Sequence, residues 1–194
     1  KHDHVYFEFD DGMKTAAYTD HRRFGFMDIF ETSNESKQKW LSSLGPEPLT
    51  EDFTVQILKS NLHGKRSPIK SALLDQRVVS GLGNIYVSEI LFRSKISPTK
   101  IAAEVAGKSK KINANIQKIF DNTNQVIAEA IMVGGSTISD FRGVSGESDL
   151  GYFAQQFKVF NREGEVCIKE NCNGKILRIV QSGRSTFYCP RCQK

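Results

Sequence analysis

No stretch of this 194-residue chain approaches the roughly 18 consecutive apolar residues needed to cross a bilayer, so no helical membrane anchor is expected. No signal-peptide pattern precedes the polar opening Lys1-His2-Asp3-His4, and a cytosolic protein is expected. No internal repeat and no low-complexity segment is present, which sets aside solenoids and biased tracts. Cysteine is absent before Cys167. Acid is in deficit: 22 Asp and Glu stand against 27 Lys and Arg, for a formal charge of +5 and a pI near 9.0. That balance suggests a polyanionic partner, because Lys and Arg displace counterions from phosphate. Basic residues gather at 59–70, 108–111 and 175–191. The remaining composition, 39% hydrophobic and 25% charged, is that of an ordinary globular protein of one or two domains.

An α+β organisation is expected. Val5-Tyr6-Phe7-Glu8-Phe9, a turn at Asp10-Asp11-Gly12, and residues 14–18 read as a hairpin, with residues 24–30 as a candidate third strand. So small a sheet has unpaired edges, and it is expected to continue into sequence outside this chain. From about Thr50 the period becomes helical. Thr50 is a candidate N-cap, followed by Glu51 and Asp52 at the positive end of a helix dipole. Pro68-Ile69-Lys70 can open a second helix, and Gly81-Leu82-Gly83 breaks the chain before a third at 84–92. A long amphipathic helix then carries Ile112, Ile116, Ile119, Phe120, Thr123, Ile127 and Ile131 as a core stripe and ends at Gly134-Gly135. Residues 143–151 form a polar, Gly-rich segment that reads either as a surface connection or as a functional lid.

The cysteines Cys167, Cys172, Cys189 and Cys192 follow the spacing C-x4-C-x16-C-x2-C. Two close pairs separated by a long insert suit tetrahedral zinc, each pair spanning one edge. Residues 175–181 and 185–188 can form strands around Ser182-Gly183, returning Cys189 to Cys172. Four thiolates leave no open coordination position, so one structural zinc ion in a ribbon is expected, and metal binding supplies much of its folding free energy. A pair of disulfides is the alternative, in an oxidising compartment.

Several segments together resemble the formamidopyrimidine-DNA glycosylases: Lys1-His2-Asp3-His4-Val5, Tyr18-Thr19-Asp20-His21-Arg22-Arg23-Phe24-Gly25, Leu44-Gly45-Pro46-Glu47-Pro48-Leu49, Gly81-Leu82-Gly83-Asn84-Ile85-Tyr86, Gly151-Tyr152-Phe153-Ala154-Gln155 and Gly183-Arg184-Ser185-Thr186-Phe187-Tyr188-Cys189. They run in the family's order from end to end of the chain. The resemblance implies part of an N-terminal β-sandwich over 1–45, a helix–two-turns–helix DNA-binding domain over 46–156 and a zinc ribbon over 157–194, with DNA in the cleft between them. It implies removal of oxidised purines, 8-oxoguanine and formamidopyrimidine, from double-stranded DNA, then β,δ-elimination at the abasic site, by a bacterial, nucleoid-associated enzyme that is monomeric at full length. The damaged nucleotide is flipped out of the stack.

The resemblance also implies residue roles. Asn84, at a helix start, suits a phosphate oxygen, although alone it reads as a simple N-cap. Arg184, beside the ribbon turn, matches an arginine that grips phosphates around the lesion and assists the second elimination; alone it reads as a solvated hairpin arginine. Phe24 would wedge between bases and Arg22 would address the orphaned partner base, where otherwise the first reads as core and the second as surface. His2, Lys65 and Arg66 match further DNA contacts. Lys70 either approaches the lesion pocket or is a solvated helix lysine. Residues 143–151 match a loop that closes over the extruded base. Two departures stand out: His21 replaces a frequent proline, and C-x4-C replaces the commoner C-x2-C.

The family's nucleophile, an N-terminal proline amine, and its neighbouring glutamate have no counterpart here, nor do its sandwich lysine and methionine wedge. Lys1-His2-Asp3-His4 matches an internal segment, so Lys1 is not nominated as the nucleophile. The chain is therefore expected to bind DNA and zinc as the carboxy-terminal two-thirds of a bifunctional glycosylase/lyase, without excision activity of its own. The alternatives are a non-enzymatic zinc-dependent DNA-binding module, an endonuclease VIII-like pyrimidine-lesion glycosylase, and an unrelated zinc ribbon that binds RNA or protein.

Overall fold

A computed structural model describes residues 2–10, 12, 15–21, 23–136 and 152–194. The chain divides into two compact units, Lys1–Ser42 and Ser43–Lys194. The class is α+β, as the patterning indicated, with helices and hairpins segregated along the sequence.

In the first unit, β1 (Asp3–Glu8) pairs antiparallel with β2 (Thr15–Thr19), Tyr6 opposite Ala17, with an irregularity between Asp3 and Val5. The expected third strand over 24–30 does not form. The Asp20 carboxylate accepts from the backbone N–H groups of Arg23 and Gly25, at 2.9 and 2.7 Å, and bends the chain where a strand would have to run straight. The apolar residues beyond it join a small aromatic cluster, in which Trp40 of α1 (Lys39–Ser42) meets Phe26 and Phe30 edge-on.

The second unit opens with a correction. The first long helix, α2 (Val55–Leu62), starts at Thr54, whose hydroxyl accepts from the Ile57 N–H. Thr50 instead donates its hydroxyl to the Glu47 carbonyl within a turn, and Thr54, at φ −112° and ψ 157°, is extended, so no helix runs from Thr50 through it. α3 (Ile69–Leu73) begins directly after Pro68, and α4 (Asn84–Ser94) after Gly83. α5 (Ala102–Ala106) and the long α6 (Ala114–Met132) complete the helical layer. Asn113 caps α6, accepting from Asn115 and Ile116.

Leu58, Leu62, Ile69, Leu73, Ile90, Ile116 and Ile119 are wholly buried, each stabilising the fold by about 1.5–3 kcal/mol. The buried line of α6 runs through Ile116, Ile119, Thr123, Val126 and Ala130, alternating steps of three and four. Ile131, expected on this stripe, is 66% exposed because a step of four from Ile127 carries it past the core. Arg93 binds Glu129 through two parallel hydrogen bonds of 2.9 and 2.7 Å, joining α4 to α6.

The chain ends in an antiparallel hairpin of β3 (Leu177–Gln181) and β4 (Arg184–Tyr188). Ser182 and Gly183 both have positive φ, 49° and 72°, the two-residue turn whose twist matches that of the strands. Its core is small: Val159, Ile176 and Phe187 with the cysteines, completed by Phe92 from α4.

Candidate functional site

Three of the residues that sequence reasoning singled out in the second unit, Lys70, Asn84 and Arg184, meet along one seam, where the hairpin turn packs on the starts of α3 and α4. Asn84 opens α4, but Gly83 is the capping residue and no side chain caps this helix, so the simple N-cap reading of Asn84 is set aside. Its Nδ2 donates instead to the Ser185 carbonyl, 3.0 Å away on β4. The start of an 11-residue helix thus keeps its first N–H groups free of a side-chain cap, at the positive end of the dipole.

Lys70 reaches the same carbonyl. Its Nζ lies 3.0 Å from Ser185 O and 2.6 Å from Thr186 Oγ1, and the residue is wholly buried, which overturns the solvated reading. Burial, and secondarily the positive charge of Arg184, push its pKa down to about 8. Arg184 itself is exposed, opposite Gln181 across the turn. The seam is stitched further by Ser71 and Ser182, whose hydroxyls are 3.1 Å apart, and by Gln181 Nε2 on the Pro98 carbonyl at 3.2 Å. A cavity of about 500 Å³ opens here, with Ser71, Gly83, Ser182 and Arg184 in its wall. Asp75 also lines it, yet its carboxylate is already bound by Arg77 and Lys65, which hold it well below the usual carboxylate range. The opening therefore presents an arginine, hydroxyls and a helix start, a set of donors suited to an oxyanion such as phosphate.

The other candidates lie elsewhere. Lys65 is engaged by Asp75 at 3.0 Å, and Arg66 is exposed. His2 and Phe24 belong to the first unit, where His2 packs on His21 at 4.3 Å between ring centroids and Phe24 is 77% exposed rather than core. Arg22 and the segment 143–151 lie outside the described residues.

Sequence reasoning missed one buried acid. Glu89, on α4, is wholly buried, and its carboxylate accepts from the backbone N–H groups of Lys158, Val159 and Phe160 at 2.9–3.1 Å. It clasps the stretch leading into the ribbon to the helix whose start faces the cavity. The signal was visible as a lone acid inside the apolar run Ile85-Tyr86-Val87-Ser88-Glu89-Ile90-Leu91-Phe92.

The four cysteines converge as expected. Cys167 and Cys192 sulfurs are 3.8 Å apart, those of Cys172 and Cys189 are 3.6 Å apart, and all four Sγ atoms fall within 4.8 Å of one another. Tetrahedral Zn–S bonds of about 2.3 Å place sulfurs about 3.8 Å apart, whereas a disulfide needs about 2.0 Å. A Cβ on Gly174 would come within 2.8 Å of the Cys189 sulfur, so the knuckle needs glycine there. Burial raises the Cys167 and Cys192 thiols above their ordinary pKa, while the Gly174 backbone lowers Cys172. A zinc ion supplies the charge that holds all four as thiolates. The residues fit one structural zinc ion. The resulting anionic centre is flanked by Lys95, Lys169 and Arg191. The longer first knuckle places Lys169 over the Phe92 ring, with its Nζ donating 2.7 Å to the Phe92 carbonyl near the end of α4.

Comparison with known proteins agrees with this anatomy. A family model described as the formamidopyrimidine-DNA glycosylase H2TH domain matches residues 44–142, and one for a zinc finger found in FPG and IleRS matches residues 164–194. The formamidopyrimidine-DNA glycosylase of Ruegeria pomeroyi is 47% identical over 194 residues, covering 100% of this chain and 65% of that protein. The chain thus spans just under two-thirds of the length of such curated relatives. Among solved structures, the MutM (Fpg) protein of Thermus thermophilus superposes with a TM-score of 0.83 at 34% identity, over 99% of this chain and 68% of that one. A Lactococcus lactis FPG mutant in complex with Fapy-dG containing DNA gives 0.82 at 34% identity, over 100% and 67%.

Proposed function

Because the chain belongs to the formamidopyrimidine-DNA glycosylase family, we propose that it is the DNA-gripping part of a base-excision enzyme that removes oxidised purines and cleaves the abasic strand left behind. The observation that carries this reading is the seam: Lys70 and Asn84 both hold the Ser185 carbonyl, so the helix start and Arg184 face one cavity as a unit. Phosphates of a kinked, lesion-bearing strand are the ligand of that face. Arg184 supplies the exposed charge, the first N–H groups of α4 supply directed donors, and the zinc ribbon supplies the rigid hairpin that carries the arginine. No helix among the described residues is long and apolar enough to cross a membrane.

The test is duplex binding by the zinc-loaded chain, followed by fluorescence anisotropy on an oligonucleotide with an abasic-site analogue. Arg184→Ala is expected to weaken binding about tenfold and to lower the salt slope by about one, the signature of one lost phosphate contact. Unchanged affinity and slope would count against the assignment of Arg184.

Covalent chemistry is proposed to depend on residues that the family carries ahead of the matched region. The 194-residue chain, assayed alone, is expected to give no borohydride-trapped adduct with 8-oxoguanine duplex under conditions where a full-length relative is trapped completely. A trapped adduct on the chain would show that it holds a competent amine.

A further inference from the structure

The seam contains a lysine that DNA binding at Arg184 does not by itself explain. Lys70 is wholly buried, and its ammonium donates to a carbonyl and a hydroxyl rather than to a carboxylate. Arg184, on β4, is the charge that acts on it. Asp75, just past the end of α3, is taken by Arg77 and Lys65, and α4 brings the uncharged Asn84 to this point. Among the described residues no carboxylate meets this ammonium; keeping such a charge inside a protein is unfavourable, and buried charges of this kind cluster at functional sites.

We propose that Lys70 is the positioning residue of the phosphate-binding face: its ammonium fixes β4 against α3 and α4, and its protonation and phosphate binding beside Arg184 favour one another. The inference rests on the DNA reading given above.

The first half follows from geometry. Ser185 and Thr186, which Lys70 holds, directly follow Arg184 on β4, so the lysine sets where the arginine stands. The second half follows from charge. In the free chain, burial and then Arg184 push Lys70 down to about 8, so the lysine is partly neutral in mildly alkaline solution. A phosphodiester on Arg184 offsets that repulsion and brings the missing anion nearby, so the lysine pKa rises in the complex. Between the free and bound pKa values the complex holds more protons than its parts, and affinity must fall as pH rises through that window. Well below pH 8 both forms are protonated and the affinity is level. Each unit of pKa restored by phosphate limits the fall to about tenfold.

The experiment measures affinity of the zinc-loaded 194-residue chain for an abasic-analogue duplex from pH 6.5 to 9.5 at constant ionic strength. Calorimetry at pH 8, in two buffers of different ionisation enthalpy, counts protons taken up. The wild-type chain is expected to lose affinity several-fold above pH 8 and to take up a fraction of a proton. Lys70→Met, checked for its melting temperature and zinc content, is expected to bind more weakly with a level profile and no uptake from this site. Thr186→Val removes one acceptor that favours the ammonium and is expected to move the fall to lower pH. It serves in place of Lys70→Met if that variant does not fold. A level wild-type profile without proton uptake overturns the inference and leaves the DNA reading standing, as does uptake that persists undiminished in a folded Lys70→Met. Failure of the wild-type chain to bind the duplex at any pH overturns the DNA reading, and this inference falls with it.

Discussion

Stripped of zinc, the chain is expected to lose its ribbon while retaining most of its helix, and to lose DNA affinity by at least an order of magnitude. A two-stranded hairpin is marginal in water, and this one has a core of only Val159, Ile176, Phe187 and the borrowed Phe92 around its cysteines. Structural zinc contributes about 10–16 kcal/mol in isolated ribbon-sized peptides, far more than those contacts can. The helical core stands on its own leucines, isoleucines and valines and includes none of the four cysteines. At the far end of α4 the ribbon is tied by Gln193 on the Ile96 carbonyl, the Lys194 N–H on the Lys95 carbonyl and Lys169 on the Phe92 carbonyl, so a melted ribbon frees the end of α4 without dissolving it. Arg184, Ser185 and Thr186 go with the ribbon, and the proposed phosphate-binding face with them. Chelation followed by circular dichroism and limited proteolysis should show cleavage confined to the last 35 or so residues, as expected for a unit smaller than one stable core. Cys189→Ser should reproduce it, since Cys189 is fully buried at the centre of the cluster. Protection of the ribbon and full affinity after complete zinc removal would refute the dependence.

The second large effect is expected at Glu89. Replacing it with alanine leaves the backbone N–H groups of Lys158, Val159 and Phe160 buried without their acceptor. At about 1–3 kcal/mol for each of the three orphaned donors, a loss of roughly 3–9 kcal/mol follows. For a chain of this size that is a fall of about 10 °C or more in melting temperature. Glu89→Gln is the informative companion. Oε1 alone accepts from all three N–H groups, while Oε2 adds a second contact to Lys158. An amide oxygen placed at Oε1 can keep most of the set, so the glutamine variant should lie much nearer wild type. Equal losses for the two variants would mean that side-chain volume, and not acceptance of these hydrogen bonds, is what the site requires. A zinc-loaded Glu89→Ala chain that melts normally would show that the clasp contributes nothing.

The cysteine ribbon and the helix starts at Ile69 and Asn84 were legible because each rests on local chemistry. A tetrahedral site is written in the spacing of its ligands, and glycine or proline marks a backbone break wherever it occurs. The false start at Thr50 had the same local signs as a true one. Thr54 won because residues 50–53 close as a turn and Thr54 itself is extended, while the Leu49 N–H ahead of them is held by Asn124, a partner 75 positions away that no short window reveals. The third strand failed similarly: Asp20, which reads as an ordinary polar residue, captures two backbone N–H groups and turns the chain.

Along the seam the division is sharper. Asn84 and Arg184 were nominated from resemblance, and the Cys167–Cys192 cluster from spacing, because motifs and ligand intervals survive in one dimension. What folding decided was the meaning of Lys70, which patterning left between pocket and solvent, and of Glu89, whose apolar surroundings named no partner for it. A charge can be buried only where partners from distant segments meet it. Thr186 and Ser185 for the lysine, and the N–H groups of 158–160 for the glutamate, arrive from 69 to 116 residues along the chain. Those pairings exist only once the ribbon has folded back onto α4, and the tertiary structure alone could place them.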